Sequence, residues 1–293
     1  MHRSGFVNII GNPNVGKSTL MNALVGEKLS IITSKAQTTR HRIMGIVSGE
    51  DFQIVYSDTP GILKPSYKLQ ESMMTFVTGA LTDADVILYV TDTVEQSERS
   101  AEIVDSIRRS GIPTVVVINK IDLSTPEALE ALVDKWQAEI PGAQVVPTSA
   151  KENFNIEGLF RTILSLLPEG PAFYPKDTLT DKTLRFFASE IIREKILKFY
   201  DKEIPYCCEI EIESYKEEPT IDRIAATIYV ARDSQKGILI GHKGEKLKRV
   251  GQTAREDMEQ FLGKKVFLQL FVKVSDDWRN NERQLRRFGY EQE

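Results

Sequence analysis

Short apolar runs alternate with segments of helical periodicity between Phe6 and about Leu167. The apolar runs are FVNII, QIVYSD, VILYVTD, TVVVINK and QVVPTSA, and the helical segments are STLMNALV, a polar stretch after VILYVTD, PEALEALVDKW and IEGLFRTILSLL. Continuous apolar strands separated by amphipathic helices indicate a mostly parallel sheet that is covered on both faces. Only Gly-Glu-Asp separates MGIVS from FQIVYS, which predicts one antiparallel hairpin. The first part of the chain is therefore predicted to be an α/β domain.

The pattern changes after Leu167, where PEGPAFYPKD contains three prolines and no apolar period. Such a stretch is typical of a linker between domains. A helix near Leu184 follows, then two alternating strands around Ile210 and Ile228, a glycine-bearing turn, a helix from Glu245 to Phe261 and a strand. The order helix, strand, strand, helix, helix, strand predicts a separate α+β domain. The predicted divisions are a first domain at 1–168, a linker at 169–183 and a second domain with a C-terminal tail at 184–293.

The segment GNPNVGKS, from Gly11 to Ser18, lies between the strand FVNII and the helix STLMNALV. A phosphate-binding loop requires this context, because backbone N–H groups at the helix N-terminus then surround a phosphate. In such a loop Lys17 is expected to bridge the β- and γ-phosphates and Ser18 to bind Mg²⁺. Gly11 and Gly16 permit the tight backbone path. The segment predicts a nucleoside triphosphate site with Mg²⁺ as cofactor.

Two further segments suit the metal and the γ-phosphate. DTPG, Asp58 to Gly61, ends the strand QIVYS, and the polar segment KAQTTRHR precedes that strand. A carboxylate at this strand end can face Mg²⁺ through water, and the Gly61 N–H can contact the γ-phosphate. The polar segment suits a switch loop that Mg²⁺ and the γ-phosphate order and that hydrolysis releases. Thr39 is its predicted metal ligand, and Thr38 is the alternative.

The last two segments of the first domain indicate which base the nucleotide site recognises. NKID follows the buried strand TVVVI, and TSAK follows the last strand. Asp122 can accept hydrogen bonds from N1–H and N2–H₂ of guanine, whereas adenine lacks this donor pair and would leave a buried carboxylate unpaired. The Ala150 N–H can donate to guanine O6. The predicted nucleotides are therefore GTP and GDP.

Together these segments define the predicted GTP site. The residues predicted to bind GTP are Gly11, Asn12, Pro13, Asn14, Val15, Gly16, Lys17, Ser18, Thr19, Asp58, Thr59, Pro60, Gly61, Asn119, Lys120, Ile121, Asp122, Ser149, Ala150 and Lys151. Those predicted to act in hydrolysis are Lys17, Thr39 and Gly61. Ile62 stands where Ras-like enzymes place a glutamine that orients water, so no water-positioning side chain is evident. Slow hydrolysis is expected, with the transition-state charge met by Lys17, backbone N–H groups and Mg²⁺.

The second domain contains ILIGHKGEKLKRVG, in which Gly241-His242-Lys243-Gly244 precedes a helix. This segment resembles the GXXG loop of a KH domain, which clamps single-stranded RNA because glycines let the sugar-phosphate backbone approach. Basic residues crowd the same segment against the single acid Glu245, which makes a local basic patch. The residues predicted to bind RNA are Lys236, Ile240, Gly241, His242, Lys243, Gly244, Lys246, Lys248 and Arg249.

The combination of GNPNVGKS, KAQTTRHR, DTPG, NKID and TSAK is similar to that of translation-factor-class GTPases. It closely resembles the Era family of bacterial ribosome-assembly GTPases, and the resemblance covers nearly the whole chain because the second domain fits a type II KH arrangement. The family implies binding to the 3′ region of 16S ribosomal RNA and a role in maturation of the 30S subunit. Relatives that share the P-loop asparagine use K⁺, so Asn14 is a candidate K⁺ ligand.

The tail VSDDWRNNERQLRRFGY places Trp278 and several arginines beyond the last strand. Aromatic and arginine planes can stack on bases, but a C-terminal helix that docks on its own domain uses the same residues. Both interpretations stay open on the residues alone. The resemblance to a family whose tails help hold RNA favours stacking.

Composition limits the partners and the location. A formal net charge of −4 on 293 residues excludes a uniformly basic nucleic-acid coat protein but not a local patch. The only cysteines, Cys207 and Cys208, are adjacent in a strand-like stretch, which predicts core packing rather than a disulfide between them. Their scarcity and the lack of a secretory leader predict a cytoplasmic protein. No apolar run approaches the ~18 residues that span a bilayer. The absence of heptads predicts a monomer.

Another class of function competes with RNA binding. The C-terminal domain of such a GTPase can instead dock on a protein or on a membrane, with the basic patch meeting anionic lipid on the inner face as a peripheral contact. Lipid attraction tolerates changes to Gly241 and Gly244 if the lysines remain, whereas RNA clamping does not. An RNA-modifying enzyme lacks support from a cysteine nucleophile, a methyl-donor loop or a metal cluster. NKID disfavours a P-loop kinase.

Overall fold

The structure is a computed structural model and describes residues 2–94 and 101–290. The chain forms two compact units, and the main boundary between them falls between Asp181 and Lys182. The first is the predicted α/β domain with a P-loop, and the second is the predicted α+β domain. Part of the predicted polar helix, residues 95–100, lies outside the described residues, as do residue 1 and residues 291–293.

A six-stranded sheet forms the first unit. Its strands are β1 (Arg3–Ile10), β2 (Ile43–Ser48), β3 (Phe52–Asp58), β4 (Val86–Asp92), β5 (Thr114–Asn119) and β6 (Gln144–Pro147). The helices of this unit are α1 (Lys17–Val25), α2 (Lys68–Thr82), α3 (Ala101–Ser110), α4 (Pro126–Glu139) and α5 (Ile156–Leu166). The strand order is β2-β3-β1-β4-β5-β6, and only β2 and β3 pair antiparallel. The predicted hairpin in a parallel sheet is confirmed.

The sheet places the sequence motifs at one edge. β4 and β5 are buried throughout, as expected for central strands that helices cover on both faces. Parallel strands end on the same side of a sheet, and a ligand crevice forms outside their carboxyl ends. β1, β3 and β5 end at Ile10, Asp58 and Asn119, where the three strongest motifs begin or end. The topology therefore collects GNPNVGKS, DTPG and NKID into one site.

The predicted linker is irregular, but it packs on the first unit. The Ser4 hydroxyl donates to the Pro171 carbonyl oxygen at 2.6 Å. The Ile46 N–H donates to Leu179 O at 2.8 Å, and Thr180 bridges the outer edge of β2. Prolines without an apolar period correctly indicated the absence of helix and strand. They carry no signal for the attachment, because it is made largely by backbone groups at a sheet edge.

The second unit is built on a three-stranded sheet. Its strands are β7 (Glu209–Glu217), β8 (Ile221–Val230) and β9 (Lys265–Val274). Its helices are α6 (Leu184–Phe199), α7 (Ile204–Cys207), α8 (Asp233–Ile240), α9 (Glu245–Leu262) and α10 (Glu282–Arg287). β7 and β8 pair antiparallel, and β8 and β9 pair parallel. Apolar residues from α6, α9 and one face of the sheet form the core.

The segment before the glycine loop is the helix α8, which ends at Ile240 and is the first of the two consecutive helices in the predicted order. One local expectation in this unit needs correction. The cysteine pair was expected in a strand, yet Cys207 ends the short helix α7 and Cys208 precedes β7. Both thiols are free and buried, so the predicted core packing is confirmed. No helix among residues 2–94 and 101–290 is both long and apolar enough to cross a bilayer.

Candidate functional site

The loop between β1 and α1 depends on two glycines. Gly16 has a φ of +97°, and a Cβ added there would lie 2.2 Å from Asn119 Nδ2. A Cβ on Gly11 would lie 2.1 Å from the Val90 carbonyl oxygen. Neither position accepts a side chain without a shift of its neighbours. Because α1 begins at Lys17, its first N–H groups, which have no partner within the helix, and its positive dipole end border this loop and favour an anion there.

Lys17 lies buried inside the loop. Its Nζ donates to the carbonyl oxygens of Gly11 at 3.0 Å and Asn12 at 2.8 Å. An ammonium group held among the loop carbonyls has its charge where a polyphosphate would enter. The contact of Lys17 with the β- and γ-phosphates stays a prediction, and the position of the ammonium is consistent with it.

Three oxygen-bearing side chains from three segments meet beside the loop. The Ser18 hydroxyl donates to Asp58 Oδ2 at 2.7 Å and lies 2.9 Å from Thr39 Oγ1. Thr39 Oγ1 donates to the same Asp58 oxygen at 3.3 Å. Small hydroxyl and carboxylate oxygens in mutual contact are the hard donors that Mg²⁺ prefers. We call these three residues the magnesium corner.

The charge on Asp58 supports this assignment. Asp58 is completely buried, and burial raises the pKa of its carboxyl. The Ser18 hydrogen bond, the Lys17 charge and hydrogen bonding from Ser30 and Thr39 reduce that rise without cancelling it. Oδ1 of Asp58 has no hydrogen-bond partner in the described part of the chain. A buried carboxylate of this kind gains from a divalent cation, so the residues fit the predicted Mg²⁺.

The structure distinguishes between the two threonines of the switch segment. Thr38 Oγ1 donates to the Lys35 carbonyl oxygen at 2.6 Å and lies 2.6 Å from Thr33 Oγ1. Thr38 therefore closes a turn within the switch segment, while Thr39 belongs to the magnesium corner. This contact pattern favours Thr39 over Thr38 as the metal ligand.

Asn119 joins the phosphate loop to the TSAK segment. Its Nδ2 donates to the Val15 carbonyl oxygen at 2.8 Å, and its Oδ1 accepts a hydrogen bond from the Ala150 N–H at 2.9 Å. One buried side chain thus connects segments that are distant in the sequence. The Ala150 N–H is engaged by Asn119 here, so its donation to guanine O6 stays a prediction.

The side chains beside Asn119 also have defined partners. Asp122 Oδ1 accepts a hydrogen bond from the Ser149 hydroxyl at 2.6 Å. Asp122 is exposed, so the expectation that it is buried needs correction. Lys120 Nζ donates to the Asn14 carbonyl oxygen at 2.5 Å and pairs with Asp92 at 2.6 Å. These bonds hold together the residues that are predicted to contact guanine.

A cavity of about 460 Å³ contains much of the predicted site. Predicted GTP residues that line it are Pro13, Asn14, Gly16, Lys17, Ser18, Thr19, Gly61, Lys120 and Lys151. Asp122, Ser149 and Ala150 do not line it, and neither does Asn119, the residue that accepts a hydrogen bond from the Ala150 N–H. The lining also includes Ile31, Ile32, Thr33 and Ser34, which the sequence analysis missed. They carry no motif, and only their position just before KAQTTRHR could have indicated them.

Gly61 packs on the phosphate loop, whereas Ile62 is buried in the core. A Cβ on Gly61 would lie 2.8 Å from the backbone N and Cα of Pro13, so the glycine packs directly on the phosphate loop. Ile62 is 5% exposed and belongs to the hydrophobic core. Its side chain therefore has no role beside the nucleotide, in agreement with the expected lack of a water-positioning glutamine.

The glycine loop of the second unit connects α8 to α9. Gly241 and Gly244 have φ values of +74° and +79°, and Lys243 between them also has a positive φ. A Cβ on Gly241 would meet the Lys246 side chain at 2.7 Å, whereas no described atom lies within 4 Å of a Cβ on Gly244. The space at Gly244 is open, as the approach of a sugar-phosphate backbone requires. α9 begins at Glu245 and directs its N-terminus to the loop.

A groove of about 420 Å³ adjoins this loop. It is lined by Gly244, Leu247, Lys248, Gly251, Gln252, Arg255, Leu268 and Leu270. Six of these residues were not predicted, and two of the six, Leu268 and Leu270, lie on β9, which the sequence does not connect to the loop. The groove combines an apolar floor with two cationic residues.

The predicted cations differ in their surroundings. Lys248 is exposed at the groove. Arg249 lies over the Phe199 ring at 4.3 Å and Lys246 over the Tyr200 ring at 5.8 Å, each measured to the ring centroid. Rings at the end of α6 thus hold two of the cations by cation-π contacts.

The C-terminal tail docks on its own domain. Trp278 is completely buried, and its indole N–H donates to the Cys207 carbonyl oxygen at 2.9 Å. The Tyr290 hydroxyl donates to buried Glu209 at 2.6 Å, and Arg287 pairs with Glu211. The preference for base stacking by Trp278 is therefore corrected, since a buried ring in a hydrogen-bonded site cannot also hold a base.

Two family profiles match the chain. The profile described as 50S ribosome-binding GTPase matches residues 6–120, and the profile described as KH domain matches residues 203–279. The GTPase Era of Staphylococcus haemolyticus (strain JCSC1435) is 45% identical over 291 residues, which cover 99% of this chain and 97% of the relative. The GTPase Era of Alkaliphilus metalliredigens (strain QYMF) is 45% identical over 293 residues, which cover 99% of each protein.

Two solved structures of Era proteins are similar to this chain over nearly its whole length. A crystal structure of Era in complex with MgGDPNP and nucleotides 1506–1542 of 16S ribosomal RNA is 40% identical, with a TM-score of 0.96 and full coverage of both chains. A crystal structure of an Aquifex aeolicus Era variant bound to GDP·AlF4⁻ is also 40% identical, with a TM-score of 0.95 over 99% of this chain and 100% of that one.

Proposed function

This chain belongs to the Era family of GTPases, and we propose that it is a GTP-controlled switch that binds single-stranded RNA of the 16S ribosomal RNA 3′ region. In this role it assists maturation of the 30S subunit. One observation carries the proposal: the same chain holds a GTP site with a magnesium corner and a KH domain whose glycine loop opens onto a groove. The RNA target comes from the relative that was crystallised with nucleotides 1506–1542.

The chain hydrolyses GTP to GDP and phosphate. Lys17 and the first N–H groups of α1 bind and orient the phosphates, because they border the loop with positive charge. Ser18, Thr39 and Asp58 would hold Mg²⁺, which neutralises charge on the phosphate oxygens when it is bound. Gly61 keeps the space beside Pro13 free of a side chain, so that its backbone can sense the γ-phosphate.

Hydrolysis by the chain alone is expected to be slow. Ile62 lies in the core, and no residue takes the part of the water-orienting glutamine of Ras-like enzymes in the proposed mechanism. Positioning and electrostatic stabilisation by Lys17 and the loop N–H groups then supply the rate enhancement.

The guanine base is proposed to enter between the NKID and TSAK segments. Asp122 is held by Ser149 and accepts the N1–H and N2–H₂ donors of guanine. Asn119 keeps TSAK next to the phosphate loop, so the base and the phosphates are recognised by one connected frame.

RNA binding is proposed for the glycine loop and its groove. The open space at Gly244 admits the sugar-phosphate backbone, and the apolar floor formed by Leu268 and Leu270 receives bases. Lys248 and Arg255 meet phosphate charge. The remaining predicted RNA residues surround the loop.

The test measures binding of a short oligonucleotide with the 16S 3′-end sequence to the full chain at one fixed salt concentration. Gly244→Asp places a carboxylate in open space at the loop, and Gly263→Asp is the matched control. Gly263 also has a positive φ, no described atom lies within 4 Å of a Cβ there, and it ends the same helix, α9. Each variant is measured with GDP and with a non-hydrolysable GTP analogue.

We expect Gly244→Asp to weaken RNA binding more than about tenfold, because a carboxylate beside a phosphate costs a few kcal/mol near a protein surface. Gly263→Asp should bind like the wild type, and the GTP analogue should strengthen wild-type binding. Equal binding by the two variants would contradict RNA clamping. Vesicles with anionic lipid provide a further comparison: if both variants keep vesicle binding while neither shows specific RNA binding, the docking-module alternative is supported instead.

A K⁺ requirement is proposed for Asn14. This residue is exposed in the phosphate loop with a φ of +65°, and it lines the nucleotide cavity. Turnover of GTP is measured in K⁺ and in Na⁺ at equal ionic strength, with Asn14→Ala as the comparison. The proposal expects K⁺ to accelerate the wild type only. Equal turnover in both salts would exclude a K⁺ role for Asn14.

We also propose that the protein acts in the cytoplasm as a monomer. A peripheral contact with the inner face of the cell membrane is part of the docking-module alternative. Size-exclusion chromatography with light scattering tests the monomer, since a dimer would double the measured mass.

A further inference from the structure

Tyr200 connects the end of α6 to the two helices that flank the glycine loop of the second unit. It follows α6 directly, and its backbone N–H donates to the Ile196 carbonyl oxygen at 3.1 Å. Tyr200 is 4% exposed and belongs, with Ile192 and Ile196, to the hydrophobic core of the unit. The core therefore holds Tyr200 in place.

The Tyr200 hydroxyl binds the end of α8, the helix before the glycine loop. It donates to the Leu239 carbonyl oxygen at 2.6 Å, two residues before Gly241. Leu239 lies in the last turn of α8, where the carbonyl groups have no partner within the helix. Burial raises the pKa of Tyr200 to about 12, so the hydroxyl keeps its proton and remains a donor at neutral pH. The hydroxyl thus supplies the partner that the helix cannot give to this carbonyl.

The Tyr200 ring contacts α9, the helix after the glycine loop, through Lys246. Lys246 is the second residue of α9, and its Nζ lies over the ring at 5.8 Å from the centroid, a cation-π distance. The stem of Lys246 lies against the first glycine of the loop, because a Cβ on Gly241 would be 2.7 Å from Lys246 Cγ. One side chain therefore contacts both flanking helices, α8 through its hydroxyl and α9 through its ring.

The loop between the two helices has a backbone conformation that needs such support. Lys243 has a φ of +49°, which is unfavourable for a residue with a Cβ. A conformation of this kind persists only where the surrounding structure determines it. The contacts of Tyr200 on both sides of the loop fix the positions of its two ends.

We infer that Tyr200 is a positioning residue for the glycine loop and holds it in the conformation that binds RNA. A loop that is already ordered loses less conformational freedom on binding, which strengthens the affinity. The inference rests on the proposed function, because the order of this loop affects RNA affinity only if RNA binds there.

The experiment compares Tyr200→Phe and Tyr290→Phe with the wild type in the full chain. Tyr200→Phe removes the hydroxyl and retains the ring under Lys246. Tyr290→Phe is the matched control, because Tyr290 is 2% exposed and its hydroxyl also donates at 2.6 Å. Its partner is Glu209 of β7 rather than a helix that flanks the loop. Affinity for an oligonucleotide with the 16S 3′-end sequence is measured at several salt concentrations.

Tyr200→Phe should bind the oligonucleotide about three- to tenfold more weakly, since the net contribution of one hydrogen bond corresponds to a factor of this size. The slope of log affinity against log salt concentration should not change, because no phosphate contact is removed. Tyr290→Phe should bind like the wild type. A loss of less than about threefold in Tyr200→Phe, or an equal loss in both variants, would overturn the inference. A reduced slope would also overturn it, because a phosphate contact would then have been lost.

Hydrogen exchange without RNA tests the order of the loop directly. The N–H groups of Gly241 and Gly244 donate to the carbonyl oxygens of Gly237 and Gly241, at 2.9 and 3.2 Å. Their exchange should be faster in Tyr200→Phe and unchanged in Tyr290→Phe, because local opening of the loop exposes these groups. Unchanged exchange in Tyr200→Phe would contradict the inference. Faster exchange in Tyr200→Phe together with a wild type that binds no RNA would support the role of Tyr200 in the loop and contradict the proposed RNA-binding function.

Discussion

Replacement of Trp278 by phenylalanine tests whether the C-terminal tail is part of the second unit's core. The indole is completely buried, its N–H donates to the Cys207 carbonyl oxygen at 2.9 Å, and its ring meets Phe288 edge to face at 5.7 Å. Phenylalanine keeps an aromatic ring but removes the indole N–H that donates to this carbonyl, and loss of a buried hydrogen bond costs about 1–3 kcal/mol. For a unit of this size the melting temperature should fall by roughly 5–20 °C.

Calorimetry of the full chain measures the unfolding transitions, and hydrogen exchange of the tail and of α7 locates the change. The chain has two tryptophans, so in Trp278→Phe the fluorescence of Trp136 reports only on the first unit. That fluorescence transition should not move, while exchange in the tail should accelerate. The expected pattern is a loss of stability confined to the second unit.

A different result is expected if Trp278 is exposed and stacks on RNA. An exposed tryptophan that stacks on RNA bases could be replaced by phenylalanine with a change in folding free energy within about 0.5 kcal/mol. A melting temperature that stays within about 2 °C of the wild type, with unchanged tail exchange, would therefore refute the docked tail. RNA affinity measured below the melting transition should stay near the wild-type value if the ring only docks.

Two further outcomes are expected. Gly16→Ala should weaken GDP binding about tenfold or more, since a left-handed alanine costs about 1–2 kcal/mol and its methyl would displace Asn119. Gly142→Ala is the control, because Gly142 also has a positive φ but no described atom lies within 4 Å of a Cβ there. Titration with fluorescent GDP should give the wild-type affinity for Gly142→Ala. An equal loss of affinity in Gly16→Ala and Gly142→Ala would contradict the predicted clash between the Gly16→Ala methyl group and Asn119. Burial alone would raise the pKa of Asp222, but hydrogen bonds from Lys264 and a tyrosine outweigh it and lower that pKa. A carboxylate whose pKa is lowered in the folded state stabilises the fold at pH values above its unfolded-state pKa and loses this effect as the pH falls. Asp222→Asn should therefore lose less of its unfolding free energy than the wild type below about pH 5 in acid titrations. An equal loss in the variant and the wild type would exclude this role for Asp222.

The motifs of the nucleotide site could be predicted because each is local. A strand, a glycine loop and a helix that begins at Lys17 occupy one short segment, and parallel strands must end on one side of a sheet. The same reasoning explains why the glycine loop before α9 was recognisable. Gly16 and Gly244 both have a positive φ, and glycine is the residue that adopts a positive φ most readily, so the residue type itself indicates the backbone conformation.

Contacts between distant segments were not predictable in the same way. The choice of Thr39 over Thr38 depends on which hydroxyl reaches Asp58, which ends the strand β3. The groove depends on Leu268 and Leu270 of β9, which the parallel pairing with β8 brings beside α9. Only the packing of one element on another determines such neighbours, because sequence period specifies a face and not its partner.

The role of the C-terminal tail could not be predicted from the sequence either. Trp278 and the arginines of the tail are equally suitable for base stacking and for docking, so composition could not decide between them. The decision came from Cys207 and Glu209, whose carbonyl and carboxylate oxygens accept hydrogen bonds from the tail. The sequence by itself determined the chemistry of the two sites, since that chemistry resides in short segments. The tertiary structure alone decided which side chains remain free to use it, because burial and hydrogen-bond partners arise only when separate segments pack together.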